Sequence, residues 1–148
     1  MAKTMETLSK ELIDFLQGEK IVSAITIDKD TNRPTVSTIS WLIAQEDGKT
    51  INFAVGHKAS VSENISNDPY VVLNVVGPES SYEIIGTGKV SETFEGTMKF
   101  KVVTVNVDSV EDNMFYGGKI TTVPQYEKTY DAELAKKLDN EIYAKLKG

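Results

Sequence analysis

Residues 33–60 read RPTVSTISWLIAQEDGKTINFAVGHKAS. Apolar and polar residues alternate on both sides of an Asp-Gly pair. This pattern predicts a strand over residues 35–44, a hairpin turn at Asp47-Gly48 and a return strand over residues 50–55. The polar residues 57–60 then open a short helix. Hydroxyl groups and one lysine are therefore expected near a helix N-terminus with an apolar sheet behind them, an arrangement that suits an anionic ligand.

The chain on either side of this segment alternates between short strands and helices. Residues 5–17 carry apolar side chains on one face, which predicts a helix with Thr4 as its N-cap and Gly18 as its stop. Residues 60–66 have the capping-box form S-x-x-E and predict a helix that ends before Pro69. The remaining predicted elements are strands over residues 21–27, 70–76, 81–90, 101–110 and 120–123, and a helix over residues 131–146. Glycines at 86 and 88 predict a bulge or a bend in one of these strands. About six short strands with hairpin turns favour an antiparallel barrel or sandwich edged by helices.

The composition narrows the classes of function. The length of 148 residues is typical of one domain, and the absence of cysteine excludes thiol nucleophiles and cysteine-based zinc sites. A net charge of −6 with a single arginine disfavours nucleic acid and anionic membrane surfaces as partners, because both need clustered positive charge. The sequence shows no signal-peptide pattern and no apolar run long enough to span a bilayer, so we expect a cytoplasmic location.

The order of these elements resembles the pyridoxamine 5′-phosphate oxidase-like family of flavin-binding split barrels. Four segments carry the resemblance, which extends over residues 5–116: RPTVSTISW (33–41), DGKTINFAVGHKAS (47–60), ENISNDPYVVLNV (63–75) and SYEIIGTGKV (81–90). It implies a mainly β fold, a six-stranded antiparallel split barrel with flanking helices, with residues 1–148 forming a single FMN-binding domain. An open α+β sandwich is the alternative fold. The resemblance also implies a homodimer with FMN at its interface, where Trp41, Phe115 and Tyr116 would suit burial.

The resemblance further implies which residues contact the cofactor. Members place the first hairpin along the flavin, and the corresponding residues here are Ser37, Thr38, Ser40, Trp41, Ala54 and Val55. They hold the FMN phosphate with a basic pair at the start of the short helix, where this chain has Ser60 and Val61. We therefore expect Lys58, together with Ser60 and backbone amides, to form the phosphate site. Relatives on the same barrel bind coenzyme F420 or haem, so these cofactors remain alternatives to FMN.

The residues themselves also allow structural interpretations. Ser37, Thr38 and Ser40 suit ordinary strand pairing, Trp41 suits core or dimer packing, and Lys58 suits a solvated turn. The single histidine, His57, has no second histidine with which to bind a metal, so no metal site is expected. The carboxylates of the last helix, Asp131, Glu133, Asp139 and Glu141, fit a solvated face.

No set of catalytic residues is identified from the sequence. The last thirty residues contain no arginine, so they lack the basic segment with which the oxidase itself grips its substrate. The resemblance therefore implies an FMN-dependent oxidoreductase for an unknown small molecule, distinct from a true pyridoxamine-phosphate oxidase. The alternative is a non-catalytic protein that binds flavin or another small ligand, with a storage or stress role.

Overall fold

A computed structural model describes residues 4–148 of the protein. Within this range the chain forms nine strands and three helices. In chain order they are β1 (Thr4–Met5), α1 (Lys10–Phe15), β2 (Val22–Ile27), β3 (Pro34–Ile39), β4 (Leu42–Ala44), β5 (Thr50–Gly56), α2 (Ser60–Asn67), β6 (Tyr70–Val76), β7 (Ser81–Val90), β8 (Phe94–Glu95), β9 (Lys99–Asp112) and α3 (Ala132–Leu146). None of these three helices is long and apolar enough to cross a membrane.

All strands belong to one antiparallel sheet that curls back on itself. The strand order is β3-β2-β6-β7-β9-β5-β4, and β1 and β8 also pair with β9. The two ends of this order, β3 and β4, are joined in the chain by only Ser40 and Trp41. The sheet must therefore bend until its edges meet, which confirms the predicted split-barrel fold. Six strands have six residues or more, as predicted, and β1, β4 and β8 add two or three residues each.

The main core fills the inside of the curled sheet. Residues alternate strictly on β2, where Val22 and Ala24 are fully buried and their neighbours are not. Leu12 and Leu16 of the α1 region close one end of this core, and Ile65 of α2 covers another part. On β7 the register shifts between Ile85 and Gly86, which confirms the expected irregularity. A Cβ at Gly86 would collide with the backbone oxygen of Asn106, so only glycine fits there.

A second apolar cluster lies under α3, on the outer face of the sheet. Ile142 and Leu146 of α3 are fully buried against Ala54 and Val102 of the sheet. The N-cap residue Asp131 accepts a hydrogen bond from the Leu134 amide (2.9 Å). The backbone oxygen at the other end, that of Leu146, accepts hydrogen bonds from Gln45 Nε2 and Asn52 Nδ2, both at 3.0 Å. The helix is thus capped by its own side chain at the N-terminus and attached to the sheet through its C-terminal half.

Three predicted elements differ from the structure. The helix predicted over residues 5–17 begins only at Lys10, after the N-cap Ser9. The first residues of the predicted helix make other contacts instead. Thr4 and Met5 pair with β9, and the Leu8 amide donates to the Gly48 oxygen (2.8 Å). The strand predicted over residues 35–44 breaks into β3 and β4, since its two halves have different neighbours. Residues 120–123 form no strand.

Candidate functional site

The split in the barrel opens into a cavity between two sheet edges. β4 begins at Leu42, opposite Phe53 of β5. The later β5 residues Val55 and Gly56 therefore pair with β9 alone. On the opposite side β3 pairs with β2 alone. Between these edges lies a cavity of about 480 Å³, and small-molecule sites commonly measure about 300–1,000 Å³. The topology of the sheet therefore creates a space of the size that a cofactor needs.

Seven of the eight residues expected to contact a cofactor line this cavity. They are Ser37, Thr38, Ser40 and Trp41 from β3 and the link after it, Ala54 and Val55 from β5, and Ser60 from α2. The eighth, Lys58, does not line it and has an exposed side chain in the turn before α2. His57 in the same turn is also absent from the lining, and its amide donates to the Lys99 oxygen (3.2 Å). The structure thus brings together the hairpin and helix residues and leaves the expected cation outside.

The start of α2 forms the polar end of the cavity. Ser60 is the first helical residue and Ala59 is the N-cap, so the predicted capping box does not form. An alanine has no side-chain acceptor, and no side chain caps this helix. The first-turn amides, which have no partners within a helix, therefore remain available beside the cavity-lining residues Ala59, Ser60 and Val61. Such amides, with the partial positive charge of the helix, attract an anion.

The opposite wall of the cavity was not predicted from the sequence. It consists of residues 126–130, which read YEKTY and which we call the strap. The strap belongs to no helix or strand and immediately precedes the N-cap of α3. Two tyrosines and a lysine near a helix start give no pattern that distinguishes a cavity wall from an ordinary loop.

Lys128 at the centre of the strap is bound by two carboxylates. Its Nζ lies 2.9 and 3.2 Å from the two carboxylate oxygens of Glu19 and also donates to Oδ2 of Asp139. Burial acts to lower the pKa of Lys128, but the hydrogen bonds to Asp139 and Glu19 outweigh burial and hold the pKa above its usual value. Tyr126 donates its hydroxyl to the same Glu19 carboxylate. Lys128 is therefore charged at neutral pH, with its charge balanced inside the protein.

The same group of side chains fixes the link between β3 and β4. Trp41 Nε1 donates to Asp139 Oδ1 (2.9 Å), so Asp139 joins the link to the strap. The hydroxyl of Tyr143 accepts a hydrogen bond from the Glu19 amide (3.1 Å), and burial raises the pKa of this tyrosine to about 12. The side chain of Asp139 is only 17% exposed, which corrects the expectation of a solvated carboxylate face on α3.

Two further carboxylates of that face also have specific roles. Asp131 caps α3, and Glu141 Oε1 accepts a hydrogen bond from the Thr97 amide (3.0 Å). Neither side chain lines the cavity. Among residues 4–148 there is no group of three or more histidine, cysteine, aspartate or glutamate side chains that could hold a metal ion. The groups that the described residues offer in the cavity are therefore hydroxyls, amides, aromatic rings, a paired lysine and the carboxylate of Glu127.

Comparison with known proteins finds the fold repeatedly among solved structures. HupZ from group A Streptococcus superposes with a TM-score of 0.61 at 15% identity, over 78% of this chain and 99% of that one. A candidate pyridoxamine 5′-phosphate oxidase from Lactobacillus delbrueckii gives 0.59 at 20% identity, over 72% and 98% of the two chains. HutZ, the haem storage protein from Vibrio cholerae, gives 0.52 at 15% identity, over 76% and 95%.

The chain has the split-barrel fold of the pyridoxamine 5′-phosphate oxidase-like proteins. The structural neighbours span almost their whole length in these superpositions, so the shared part is the barrel itself. No family model and no curated protein matches the sequence. The likeness consequently concerns the fold, and the function must be argued from the cavity.

Proposed function

We propose that the cavity binds FMN, with the phosphate at the start of α2 and the ring system between β3 and β5. The observation that supports this most directly is the helix start without a side-chain cap, which opens into a cavity of about 480 Å³. The hydroxyls of Ser37, Thr38 and Ser60 offer hydrogen bonds, and Ile39 and Val55 offer an apolar surface. These groups suit a ligand that has one anionic end and one flat, largely apolar end.

The proposed activity is oxidation or reduction of a small molecule by the bound flavin. The flavin supplies the electron chemistry when bound, and the protein supplies orientation and electrostatics. Such a site needs no nucleophile or metal cluster. Ser37, Thr38 and Ser40 would orient the cofactor, and the strap would limit the access of water from one side. The single lysine of the strap, Lys128, is already paired with Glu19 and Asp139.

A non-catalytic role in binding flavin is the second candidate function. The observation that favours it is the state of Lys128, which is the only cation among the described residues that line the cavity and is neutralised by Glu19 and Asp139. An anionic co-substrate would therefore find no unpaired cation among the lining residues. Anaerobic addition of NADH or NADPH to the FMN-loaded protein separates the two candidates, since rapid bleaching of the flavin indicates an enzyme. The absence of bleaching with both nucleotides favours the binding protein.

Haem and coenzyme F420 are the other cofactors that the family resemblance allows. Among residues 4–148, those that line the cavity include no histidine, cysteine or methionine, which are common axial ligands of haem iron. Tyr126 is engaged with Glu19, so Tyr130 is the remaining phenol for a tyrosine-ligated haem. FMN fits the lining better than haem does. Titration with each cofactor in turn tests this order of preference.

The direct test of FMN binding is to purify the protein and record its absorbance before and after adding FMN. We expect the flavin spectrum to shift on binding and the flavin fluorescence to change with saturation. Ser60→Asp, which places a carboxylate at the start of α2, should weaken FMN more than riboflavin because it repels the phosphate. Glu63→Gln in the same helix is the control with a changed charge away from the lining. Absence of binding by the unmodified protein would refute the proposal.

We further propose that the protein is a homodimer. Val36, Ile25 and Val72 form a row across three strands on the outer face of the sheet, and Val36 is 61% exposed. Phe115 beside this row is 71% exposed and lines a second, shallow cavity of about 560 Å³ with it. Thr38 lies two residues from Val36 on the same strand face and also lines the proposed FMN site. A second copy on this surface would therefore approach the cofactor.

The dimer is tested by light scattering across micromolar concentrations. We expect a dimer for the unmodified protein and a shift towards monomer for Val36→Asp, because a charge would be buried at the interface. The expected interface residue Trp41 is less suited to this role, since it packs beneath α3 and binds Asp139. A monomer throughout would contradict the proposal.

A further inference from the structure

The strap is attached to the protein by a small number of side-chain bonds. Its backbone lies in no helix or strand, whereas the opposite wall of the cavity consists of β3, β5 and α2. Lys128 joins the strap to Glu19, which follows α1, and to Asp139 on α3. Tyr126 adds a second bond to Glu19. These contacts join the strap to α3, which follows it closely in the sequence, and to Glu19, which is 109 residues from Lys128.

The positive charge of Lys128 is balanced by two carboxylates of the protein, those of Glu19 and Asp139. Its Nζ shares one hydrogen between the two closely spaced carboxylate oxygens of Glu19 and donates a second hydrogen to Asp139. The side chain of Lys128 is 27% exposed and that of Asp139 is 17% exposed, so water competes only weakly for the bond between them, whereas the Glu19 side chain is 52% exposed. A ligand phosphate would therefore have to compete with two carboxylates that already balance the charge of Lys128.

We propose that Lys128 is a positioning residue, which holds the strap as one wall of the ligand site and does not bind the phosphate of the ligand. Glu19 and Asp139 are its anchors. The affinity tests of this inference rest on the proposed binding of FMN. It assigns the phosphate to the opposite end of the cavity, at the start of α2. Release of the strap would then open the cavity and weaken every ligand that the strap covers, whether or not the ligand carries a phosphate.

The affinities of FMN and riboflavin distinguish positioning from phosphate binding. Lys128→Met should weaken both flavins by the same factor, about tenfold if the released strap is closed about one tenth of the time. Glu19→Gln should also weaken both flavins, by a smaller factor, because an anchor loses its charge. If Lys128 bound the phosphate, Lys128→Met would weaken FMN alone and Glu19→Gln would strengthen FMN. Either of these results would overturn the proposal.

Lys136→Met is the matched control, because Lys136 is an exposed lysine on the same helix as Asp139 and lies outside the cavity lining. This variant changes the net charge as Lys128→Met does and should leave both affinities unchanged. An equal loss for both lysine variants would attribute the effect to net charge and would also overturn the proposal.

Amide hydrogen exchange tests the positioning role without any ligand. Amides of residues 126–130 should exchange faster in Lys128→Met and Glu19→Gln than in the unmodified protein, while the buried half of α3 keeps its protection. The Lys136→Met control should exchange as the unmodified protein does. Unchanged exchange of the strap in both test variants would overturn the proposal. If the unmodified protein bound neither flavin, the proposed function would fail while this measurement would still decide the role of Lys128.

Discussion

The two walls of the cavity are held in place by different kinds of interaction. The sheet wall consists of β3, β5 and the start of α2, and it shares Ile39, Val55 and Val61 with the main core. The strap wall depends on bonds from Lys128 and Tyr126 to partly exposed partners. Backbone ladders and buried apolar contacts open only with the whole fold, whereas a few side-chain bonds can open locally. We therefore expect the strap wall to open at a much lower free-energy cost than the sheet wall.

Phe53→Ala should lower the free energy of unfolding most, because it removes a buried side chain that supports the sheet wall. Phe53 is fully buried on β5, where it lies opposite Leu42 on one side and Val103 on the other. Loss of such a side chain lowers the free energy of unfolding by about 3–5 kcal/mol. Urea denaturation measures this loss, with Tyr70→Ala as the control because Tyr70 is an exposed aromatic residue on β6. Equal destabilisation by the two substitutions would contradict the proposed support of the wall.

Gly88→Ala should have the next largest effect, and it should perturb the sheet wall without affecting the strap wall. An added Cβ would lie 2.9 Å from Ile65 Cγ2 of α2 and 3.1 Å from Val103 Cγ1, so α2 must move away from β7. Overpacking of this kind costs about 1–3 kcal/mol. Thermal unfolding should show that loss, and exchange of the strap amides should stay unchanged. Gly56→Ala is the control for stability, since its Cβ would meet only Met98 Cε at 3.9 Å.

The difference between the walls also explains which of them the sequence predicts. Strands Tyr70–Val76 and Ser81–Val90 match their predicted bounds because Pro69, Gly77 and Pro78 mark the ends of continuous β-type patterns. Ala54 and Val55 reach the cavity on the return strand of the local hairpin, whereas Ser37 and Thr38 reach it on β3, which pairs with β2 and not with β5.

The strap escapes prediction because its contacts are distant along the chain. Lys128 bonds to Glu19, 109 residues away, and no periodic pattern records such a pair. The break of the long predicted strand at Ser40 and Trp41 is hidden for a similar reason. Alternation continues through both residues although the neighbouring strand changes from β2 to β5. Local patterns thus predict the elements, and long-range partners decide where they stop.

Trp41→Phe should have a moderate effect that falls mainly on the strap wall. The substitution keeps an aromatic ring under α3 and removes the N–H that donates to Asp139 (2.9 Å). We expect a loss of about 1.5 kcal/mol in unfolding free energy, at the low end for a bond to a charged group, because Asp139 keeps Lys128. Hydrogen exchange should show faster opening of residues 126–130. Tyr143→Phe is a comparison that removes a hydroxyl bonded to the Glu19 amide and leaves Asp139 unchanged. If the strap amides of Trp41→Phe exchanged as they do in the unmodified protein, the hydrogen bond from the indole would not be needed to position Asp139.

Asp47→Asn should give the smallest effect and should leave the strap unaffected. Asp47 shapes the turn of the first hairpin by accepting hydrogen bonds from the Lys49 amide (2.9 Å) and the Thr50 amide (3.0 Å). The bond from Lys49 is the main cause that lowers the pKa of this carboxyl below its usual value. Because the side chain is exposed, we expect the substitution to cost about 0.2–1 kcal/mol at neutral pH.

The pH dependence of this cost has a definite sign. A carboxyl whose pKa is lower in the folded state stabilises the fold above its unfolded pKa of about 3.9, and this contribution disappears as the pH falls through the folded pKa. The difference in unfolding free energy between Asp47→Asn and the unmodified protein should therefore shrink towards zero on acidification. Urea denaturation at neutral pH and at about pH 3 measures the change. If this difference in unfolding free energy grew in acid, the ionised Asp47 carboxyl would not be the stabilising form. Unchanged exchange at residues 126–130 would show that a defect in the first hairpin does not reach the strap.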